Sequence, residues 1–215
     1  GEMINNIAHQ WRQPLTHLGF INMNLQLCLE EEPIDKKYIN EKIEESNAQL
    51  DFMSKTIDNF RDFYKINKKK ELFYISDAVK KALDIMEPIF KNNKIEFEFN
   101  LIKDKQVDGY ENEYSQVILN ILTNAKDVLL SRQIQNPKIV ISINQKHNST
   151  ITTILDNGGG IENKYINQIF DPYFTTKEKG SGIGLYMSEM IIKNHFKGKI
   201  TACNKANGSL FTIEF

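Results

Sequence analysis

The sequence predicts an α-helical hairpin, which forms a four-helix bundle on dimerisation, followed by an α/β two-layer sandwich. Residues 4–64 repeat apolar side chains at heptad spacing in two runs, which is typical of helices that pack along one face. Residues 71–215 alternate short apolar runs with helical patterns, which is typical of a sheet covered by helices. We therefore expect a hairpin over 1–66 and a sandwich over 71–215.

The composition is that of a soluble globular chain. Of its 215 residues, 26% are charged and 40% hydrophobic, close to the usual proportions. The net charge of -1 gives no basic surplus for nucleic acid, and no apolar run reaches the ~20 residues of a membrane span. Cys28 and Cys203 lie in different predicted elements, so we expect neither a disulfide nor a metal pair, which is typical of a reducing compartment. We therefore expect a cytoplasmic location, no nucleic-acid partner and no membrane segment in this fragment; a membrane anchor of the full-length protein would lie in a missing N-terminal part.

The first heptad run predicts one long helix over residues 1–29. Its a positions hold Ile4, Trp11, Leu18 and Leu25, its d positions hold Ile7, Pro14, Ile21 and Cys28, and Ala8, Leu15 and Leu29 widen the stripe at e. We expect a kink at Pro14, because proline lacks the backbone donor that a helix needs. The acidic residues and the proline of 30–33 predict the end of this helix.

A second heptad run predicts a second helix over residues 39–64. It holds Ile39, Ile43, Ser46, Leu50, Met53, Ile57, Phe60 and Tyr64. Two such helices form a hairpin too thin to enclose a core, so we expect a homodimer through residues 1–65. A coiled-coil spacer is the alternative. The basic run at 65–70 predicts an exposed hinge.

The rest of the chain predicts a mixed sheet with helices on one face. The predicted strands cover 72–75, 95–99, 139–143, 151–155, 199–202 and 210–215, and the predicted helices cover 77–91, 113–131 and 184–194. Ser76 is predicted to be the N-cap of the first of these helices.

A polar row interrupts the apolar pattern of the helix at 113–131. Gln116, Asn120 and Asn124 recur at every fourth residue, and Asp127 continues that face. Asparagine is a poor helix former, so the row is either an exposed polar face or a set of ligands for a hard cation. Amide oxygens suit Mg²⁺, which binds few protein groups beside nucleotide phosphates.

Two glycine clusters flank an aromatic and basic loop. DNGGGI occupies 156–161, IFDPYFTTK occupies 169–177 and GSGIGL occupies 180–185. Glycine lets backbone N–H groups approach an anion, and the second cluster opens onto a helix N-terminus, which favours phosphate. Taken singly each cluster also fits an ordinary turn; together they suggest a phosphate-rich ligand, with Asp156 at a strand end facing the pocket.

Five motifs together resemble the sensor histidine kinases of two-component signalling, over essentially the whole chain. HQWRQPL at 9–15 is similar to the phosphoacceptor box and QVILNILTNA at 116–125 to the N box. DNGGGI, FDPYFTTK and GSGIGL are similar to the G1, F and G2 boxes, in the same order and spacing. The resemblance implies a dimerisation and histidine phosphotransfer hairpin over 1–66. It also implies a catalytic ATP-binding domain of the Bergerat (GHKL) type over 71–215.

The implied activity is that of an ATP-dependent protein-histidine kinase. His9 would take the γ-phosphoryl group and pass it to an aspartate in the receiver domain of a response regulator, which the kinase would also dephosphorylate. By the family's pattern, Asp156 accepts a hydrogen bond from the adenine amino group, and Asn124 and Asn120 form the Mg²⁺ site, with Asn124 as ligand and Asn120 in support. The resemblance also assigns Gly158 and Gly160 to the adenine pocket. It assigns Phe170, Phe174 and Lys177 to the lid. The lid hinge and the phosphate-binding N–H groups are assigned to Gly180, Gly182, Gly184 and Leu185.

Two residues depart from the family's pattern. Gln10 stands where many members have an acidic residue that orients the histidine, and Asp127 stands where many have a basic one. Gln10 can still accept the ring N–H of His9 and so fix its tautomer, while Gln13 offers an amide that could orient a water for dephosphorylation. A GHKL-type ATPase, which needs a glutamate where this chain has Asn120, and a dimeric ATP-binding scaffold without phosphotransfer are the alternatives.

Overall fold

The computed structural model describes residues 2–30, 35–63, 70–147, 149–177, 180 and 182–215, without the side chains of residues 2–13, 52 and 55–63. The chain forms two compact units, residues 1–66 and residues 67–215. No helix within the described ranges is long and apolar enough to cross a membrane.

The first unit is a pair of helices in contact with each other. Helix α1 spans Glu2–Glu30 and helix α2 spans Lys36–Phe63, as the two heptad runs predict. Helix α1 is continuous through Pro14. The predicted break at 30–33 lies outside the described residues except for Glu30, where α1 ends. The predicted hinge at 65–70 lies outside them except for Lys70.

Among the described side chains of α1, at residues 14–30, the buried positions are the predicted d positions. Pro14, Ile21 and Cys28 are buried at intervals of seven residues, and His17 Nε2 lies 2.7 Å from Glu45 Oε1 of α2. Other apolar side chains of the hairpin remain between 44% and 60% exposed: Leu15, Phe20, Met23, Leu27, Leu29, Ile43 and Leu50. Burying this apolar surface would be favourable, which leaves the hairpin with exposed apolar area that a partner could cover.

The second unit contains seven strands and three helices among the described residues. The strands are β1 (Glu71–Tyr74), β2 (Glu96–Leu101), β3 (Gln106–Gly109), β4 (Lys138–Lys146), β5 (Ser149–Asp156), β6 (Lys199–Lys205) and β7 (Gly208–Glu214). The helices are α3 (Ile75–Asn92), α4 (Glu111–Ser131) and α5 (Gly184–His195). Every predicted element of this region is present, with ends displaced by at most three residues.

Five of the strands form a mixed sheet in the order β2-β4-β5-β7-β6. Strands β2 and β4 are parallel, and the other neighbouring pairs are antiparallel. Residues on one face of β4, such as Ile139 and Ile141, are buried, while their neighbours in sequence are partly exposed. The helices therefore cover one face of the sheet, which confirms the predicted α/β sandwich. The same alternation in β5 puts Asp156 on the buried face.

Two predictions about this unit are corrected by the structure. Ser76 is not the N-cap of α3: the helix begins at Ile75, and the Ser76 N–H donates to Asp104 Oδ2 at 3.0 Å. A carboxylate from another part of the chain thus accepts from a free N–H of the first turn. Strand β3 was not predicted, because its four residues carry no clear alternation; it pairs with β1 in a separate antiparallel ribbon.

Candidate functional site

Asp156 is the last residue of β5, and its carboxylate is buried, with the residue 5% exposed. Its Oδ1 accepts hydrogen bonds from the N–H groups of Gly158 (2.7 Å) and Ser209 (3.3 Å). Its Oδ2 accepts from the Ser209 hydroxyl. A carboxylate has about four acceptor positions, so this one keeps acceptor capacity for a further donor, such as an exocyclic amino group of a base.

Two side chains that the sequence did not single out hold the first glycine turn. Arg132, just after α4, donates from Nη1 to the carbonyl oxygens of Gly158 (2.7 Å) and Gly160 (2.9 Å). Asn204 of β6 accepts from the Ile161 N–H and donates to the Ile161 carbonyl, each at 2.7 Å. The turn beside Asp156 is therefore fixed from two sides, which pre-organises it for a ligand.

Gly208, which lies against the backbone of Asp156, is a further residue of the site that sequence reasoning missed. A Cβ at Gly208 would lie 1.6 Å from the carbonyl oxygen of Asp156, so no larger residue fits without moving β5 or β7. The available signal was the Asn207-Gly208 dipeptide, which is typical of a tight turn between two strands. That signal predicts the turn but not its contact with Asp156.

Asn120 connects α4 to the start of α5. Its Nδ2 lies 3.2 Å from the Gly184 carbonyl oxygen and 3.2 Å from Ser188 Oγ, and its Oδ1 accepts from Gln116 Nε2 at 3.1 Å. Ser188 is fully buried and was not identified from the sequence. The amide therefore positions the N-terminus of α5. The role of Asn120 at a metal site stays a prediction.

Asn124, Asp127 and Lys177 form one polar cluster. The Lys177 ammonium donates to Asn124 Oδ1 at 2.8 Å and to Asp127 Oδ2 at 2.7 Å. Asp127 also lies 2.9 Å from Lys126 Nζ. Partial burial acts to raise the pKa of Asp127, but the hydrogen bonds from Lys177 and Lys126 lower it more, so this pKa lies below its usual value. Asp127 is therefore charged at neutral pH.

The segment between β5 and α5 carries the predicted lid residues. The Phe170 ring makes an edge contact with Phe211 of β7, with centroids 6.5 Å apart, and the Phe174 ring lies 5.2 Å from that of Tyr165. The Tyr173 N–H donates to the Gly182 carbonyl oxygen at 2.9 Å. Gly182 has a φ of +65°, and a Cβ there would lie 2.3 Å from the carbonyl carbon of Tyr173. Position 182 therefore requires glycine in this conformation.

The second glycine cluster leads directly into a helix. Gly180 donates its N–H to the Lys177 carbonyl oxygen at 3.2 Å. Gly184 is the first residue of α5, and half-buried Leu185 follows it in the first turn. The free N–H groups of a helix N-terminus attract anions, so this end of α5 is chemically suited to phosphate.

The predicted phosphoacceptor residues belong to the other unit. His9, Gln10 and Gln13 lie on α1, but their side chains fall outside the described residues. The predictions about the chemistry of these three residues therefore remain predictions.

The residues of the second unit fit both a nucleotide and a divalent cation. Asp156 retains acceptor capacity in a buried corner beside a fixed turn. Asn124 Oδ1 already binds a cation, the Lys177 ammonium, which shows that this oxygen is accessible to positive charge. An amide oxygen with water and phosphate oxygens is a normal set of Mg²⁺ ligands.

Comparison with known proteins connects this geometry to a family. Residues 109–215 match the family of histidine kinase-, DNA gyrase B- and HSP90-like ATPases. Over 99% of its length, the chain is 30% identical to the two-component sensor PprA of Pseudomonas aeruginosa and covers 24% of that protein. It is 29% identical to the signal transduction histidine-protein kinase AtoS of Escherichia coli, of which it covers 34%.

A solved structure agrees with these relatives. The catalytic domain of the histidine kinase ThkA matches 68% of this chain and 95% of its own length, with 26% identity and a TM-score of 0.61. The chain spans about a quarter of PprA and a third of AtoS. Residues 109–215 therefore belong to the family of histidine kinase-, DNA gyrase B- and HSP90-like ATPases, and motifs, fold and relatives agree that the chain as a whole is similar to sensor histidine kinases.

Proposed function

We propose that this chain is the kinase part of a two-component sensor, in which ATP phosphorylates His9. Residues 1–66 act as the dimerisation and histidine phosphotransfer hairpin, and residues 71–215 act as the catalytic ATP-binding domain. The observation that carries the proposal is the buried Asp156 carboxylate, which has acceptor capacity left beside a turn fixed by Arg132. PprA and AtoS, whose names describe sensors or histidine kinases, support the same activity.

The residues divide the work of phosphoryl transfer between them. Asp156 accepts from the adenine amino group, with Gly158 and Gly160 shaping the pocket around the ring. Asn124 would hold Mg²⁺, which would neutralise phosphate charge, and Asn120 keeps α5 in position. The N–H groups around Gly180, Gly182 and Gly184 and the Lys177 ammonium bind phosphate oxygens. Phosphoryl transfer depends mainly on such positioning and charge neutralisation.

The acceptor is the lone pair of one His9 ring nitrogen. A new N–P bond forms at that nitrogen while the bond from the γ-phosphorus to its bridging oxygen breaks, leaving ADP. A neutral imidazole is a competent nucleophile near pH 7. The Gln10 side-chain oxygen accepts a hydrogen bond from the N–H of the other ring nitrogen, which fixes the tautomer in which the attacking nitrogen is unprotonated.

The test of this proposal is the chemical nature of the label transferred from ATP. The protein is incubated with γ-labelled ATP and Mg²⁺, separated from nucleotide, and treated with acid or alkali. We expect label that acid removes and alkali leaves, since it is bound to nitrogen. Acid-stable label, or release of inorganic phosphate without labelling of the protein, would contradict the proposal.

A response regulator is the proposed partner. The phosphoryl group on His9 would pass to an aspartate of the regulator's receiver domain. Gln13 would orient a water that later hydrolyses the phosphoryl group from that aspartate. The histidine kinase ThkA, solved in complex with the response regulator TrrA, matches the whole of this chain and 61% of its own with a TM-score of 0.61. ATP and such regulators are encountered in the cytoplasm, where we place this part of the protein.

Gln10 is expected to set the rate of autophosphorylation. Its amide can accept the His9 ring N–H but supplies no negative charge, and hydrogen bonds to charged acceptors are about twice as strong. Gln10→Glu should therefore raise the rate up to about tenfold, or ~1.4 kcal/mol of barrier, and Gln10→Ala should lower it. Single-turnover labelling at saturating ATP measures both. A Gln10→Ala variant as fast as the wild type would show that Gln10 does not orient His9.

The hairpin is proposed to form a homodimer through residues 1–65. Ile43 is 44% exposed and Leu50 is 52% exposed, seven residues apart on α2, so a second copy would cover both. Ile43→Glu with Leu50→Glu should give a monomer by sedimentation, because glutamate is costly to bury. Ile43→Val with Leu50→Met is the matched control and should remain dimeric. Wild-type protein that sediments as a monomer at micromolar concentration would contradict this proposal.

The alternative function, that of a GHKL-type ATPase, has less support than the kinase function. Such enzymes need a carboxylate base where this chain has Asn120, and the Asn120 amide is occupied by Gln116, Gly184 and Ser188. The alternative as a scaffold that binds ATP without transfer is separated from the kinase by the labelling experiment.

A further inference from the structure

The Lys177 ammonium contacts Asn124 Oδ1, the oxygen to which the proposed function assigns Mg²⁺. Its ammonium lies 2.8 Å from Asn124 Oδ1 and 2.7 Å from Asp127 Oδ2. Asn124 and Asp127 are three residues apart on α4, so their side chains lie on one face of the helix. Lys177 comes from a segment 50 residues after Asp127. Two oxygen acceptors of one helix face thus converge on a single ammonium.

One oxygen does not serve both cations at once. An ammonium and a metal ion bound to Asn124 Oδ1 would lie a few ångströms apart and repel each other strongly. We propose that Lys177 competes with Mg²⁺ for Asn124 Oδ1, and that Asp127 sets the strength of this competition by holding the Lys177 ammonium in place. This inference rests on the proposed nucleotide site.

The strength of the Lys177–Asp127 pair suits such a competition. The Lys177 side chain is 38% exposed and the Asp127 side chain is 35% exposed. Forming an ion pair that is this accessible to water changes a binding constant by no more than about fivefold. Magnesium nucleotide can therefore displace the ammonium. Once displaced, Lys177 lies beside the incoming phosphates and can bind them, so the same side chain opposes the metal before binding and serves the nucleotide afterwards.

Asp127 acts through Lys177 in this account, which gives the experiment its form. Calorimetry measures ADP binding in the presence of Mg²⁺ for the wild type, Asp127→Asn, Lys177→Met and the double variant. Asp127→Asn keeps the shape of the side chain and removes its charge, so it should bind magnesium ADP about two- to fivefold more tightly. In the Lys177→Met background the same change should have no effect. Asp84→Asn, at an exposed aspartate of α3, is the matched control and should behave as the wild type.

The outcomes separate this inference from the function on which it rests. Unchanged or weaker binding by Asp127→Asn, when the wild type binds, would overturn the inference alone. Equal tightening with and without Lys177 would also overturn it, because Asp127 would then act by repelling phosphate directly. No binding of magnesium ADP by the wild-type protein would overturn the proposed function and this inference with it.

Discussion

Replacing His9 with alanine is expected to abolish acid-labile phosphorylation while ATP binding stays unchanged. The variant removes the imidazole to which the proposed mechanism transfers phosphate. ATP binding should persist because His9 lies on α1 in the first compact unit, whereas the proposed nucleotide-binding residues lie in the second. Labelling with γ-labelled ATP measures the loss, and calorimetry with ADP and Mg²⁺ measures the retained site.

A second histidine of α1 supplies the control for this prediction. His17 lies eight residues after His9 on the same helix, and its Nε2 is 2.7 Å from Glu45 Oε1. Because the proposed acceptor is His9, and His17 instead pairs with Glu45 within the hairpin, the His17→Ala variant should still be labelled. Acid-labile label that persists in His9→Ala would show that another residue is the acceptor.

Replacing Asp156 with asparagine is expected to weaken nucleotide binding by about 5- to 150-fold, since a mismatched buried polar group costs ~1–3 kcal/mol. The carboxylate accepts from Gly158 and Ser209. An amide provides one oxygen and one NH₂ group, so it would place a donor either against these groups or against the adenine amino group. Calorimetric titration with ADP and Mg²⁺ measures the effect.

Ser209→Ala gives the matched comparison for Asp156. This variant removes the hydroxyl that donates to Oδ2 but leaves the carboxylate as an acceptor for adenine. We expect a smaller loss of affinity than in Asp156→Asn. Thermal unfolding without nucleotide distinguishes a damaged fold from a damaged site. Undiminished affinity in a folded Asp156→Asn variant would exclude Asp156 from adenine binding.

Local patterns were enough to predict most of the architecture. The period of the apolar residues depends on a single element and its buried face, so helices such as α4 and strands such as β5 could be located before any contact was known. The same is true of the candidate residues: Asp156 ends an apolar strand, and Asn120 and Asn124 interrupt an apolar helix. Strand β3 escaped because four residues are too few to show a period.

The contacts between distant residues could not be predicted in this way. The sequence identified Lys177 as a lid residue and Asp127 as a departure from the family's pattern, but not their ion pair across 50 residues. The Ser76 cap failed for the same reason, because the acceptor is Asp104, 28 residues away.

The sequence by itself determined the class of this protein, its helices and strands, and the motifs that carry ATP chemistry, because each of these is written in residues close together along the chain. The tertiary structure alone decided that Arg132 holds the first glycine turn, that Gly208 is pressed against Asp156, and that a lysine binds the oxygen of Asn124. These contacts depend on how α4, β5, β7 and the segment before α5 pack together, and the packing of separate elements leaves no periodic trace in any one of them.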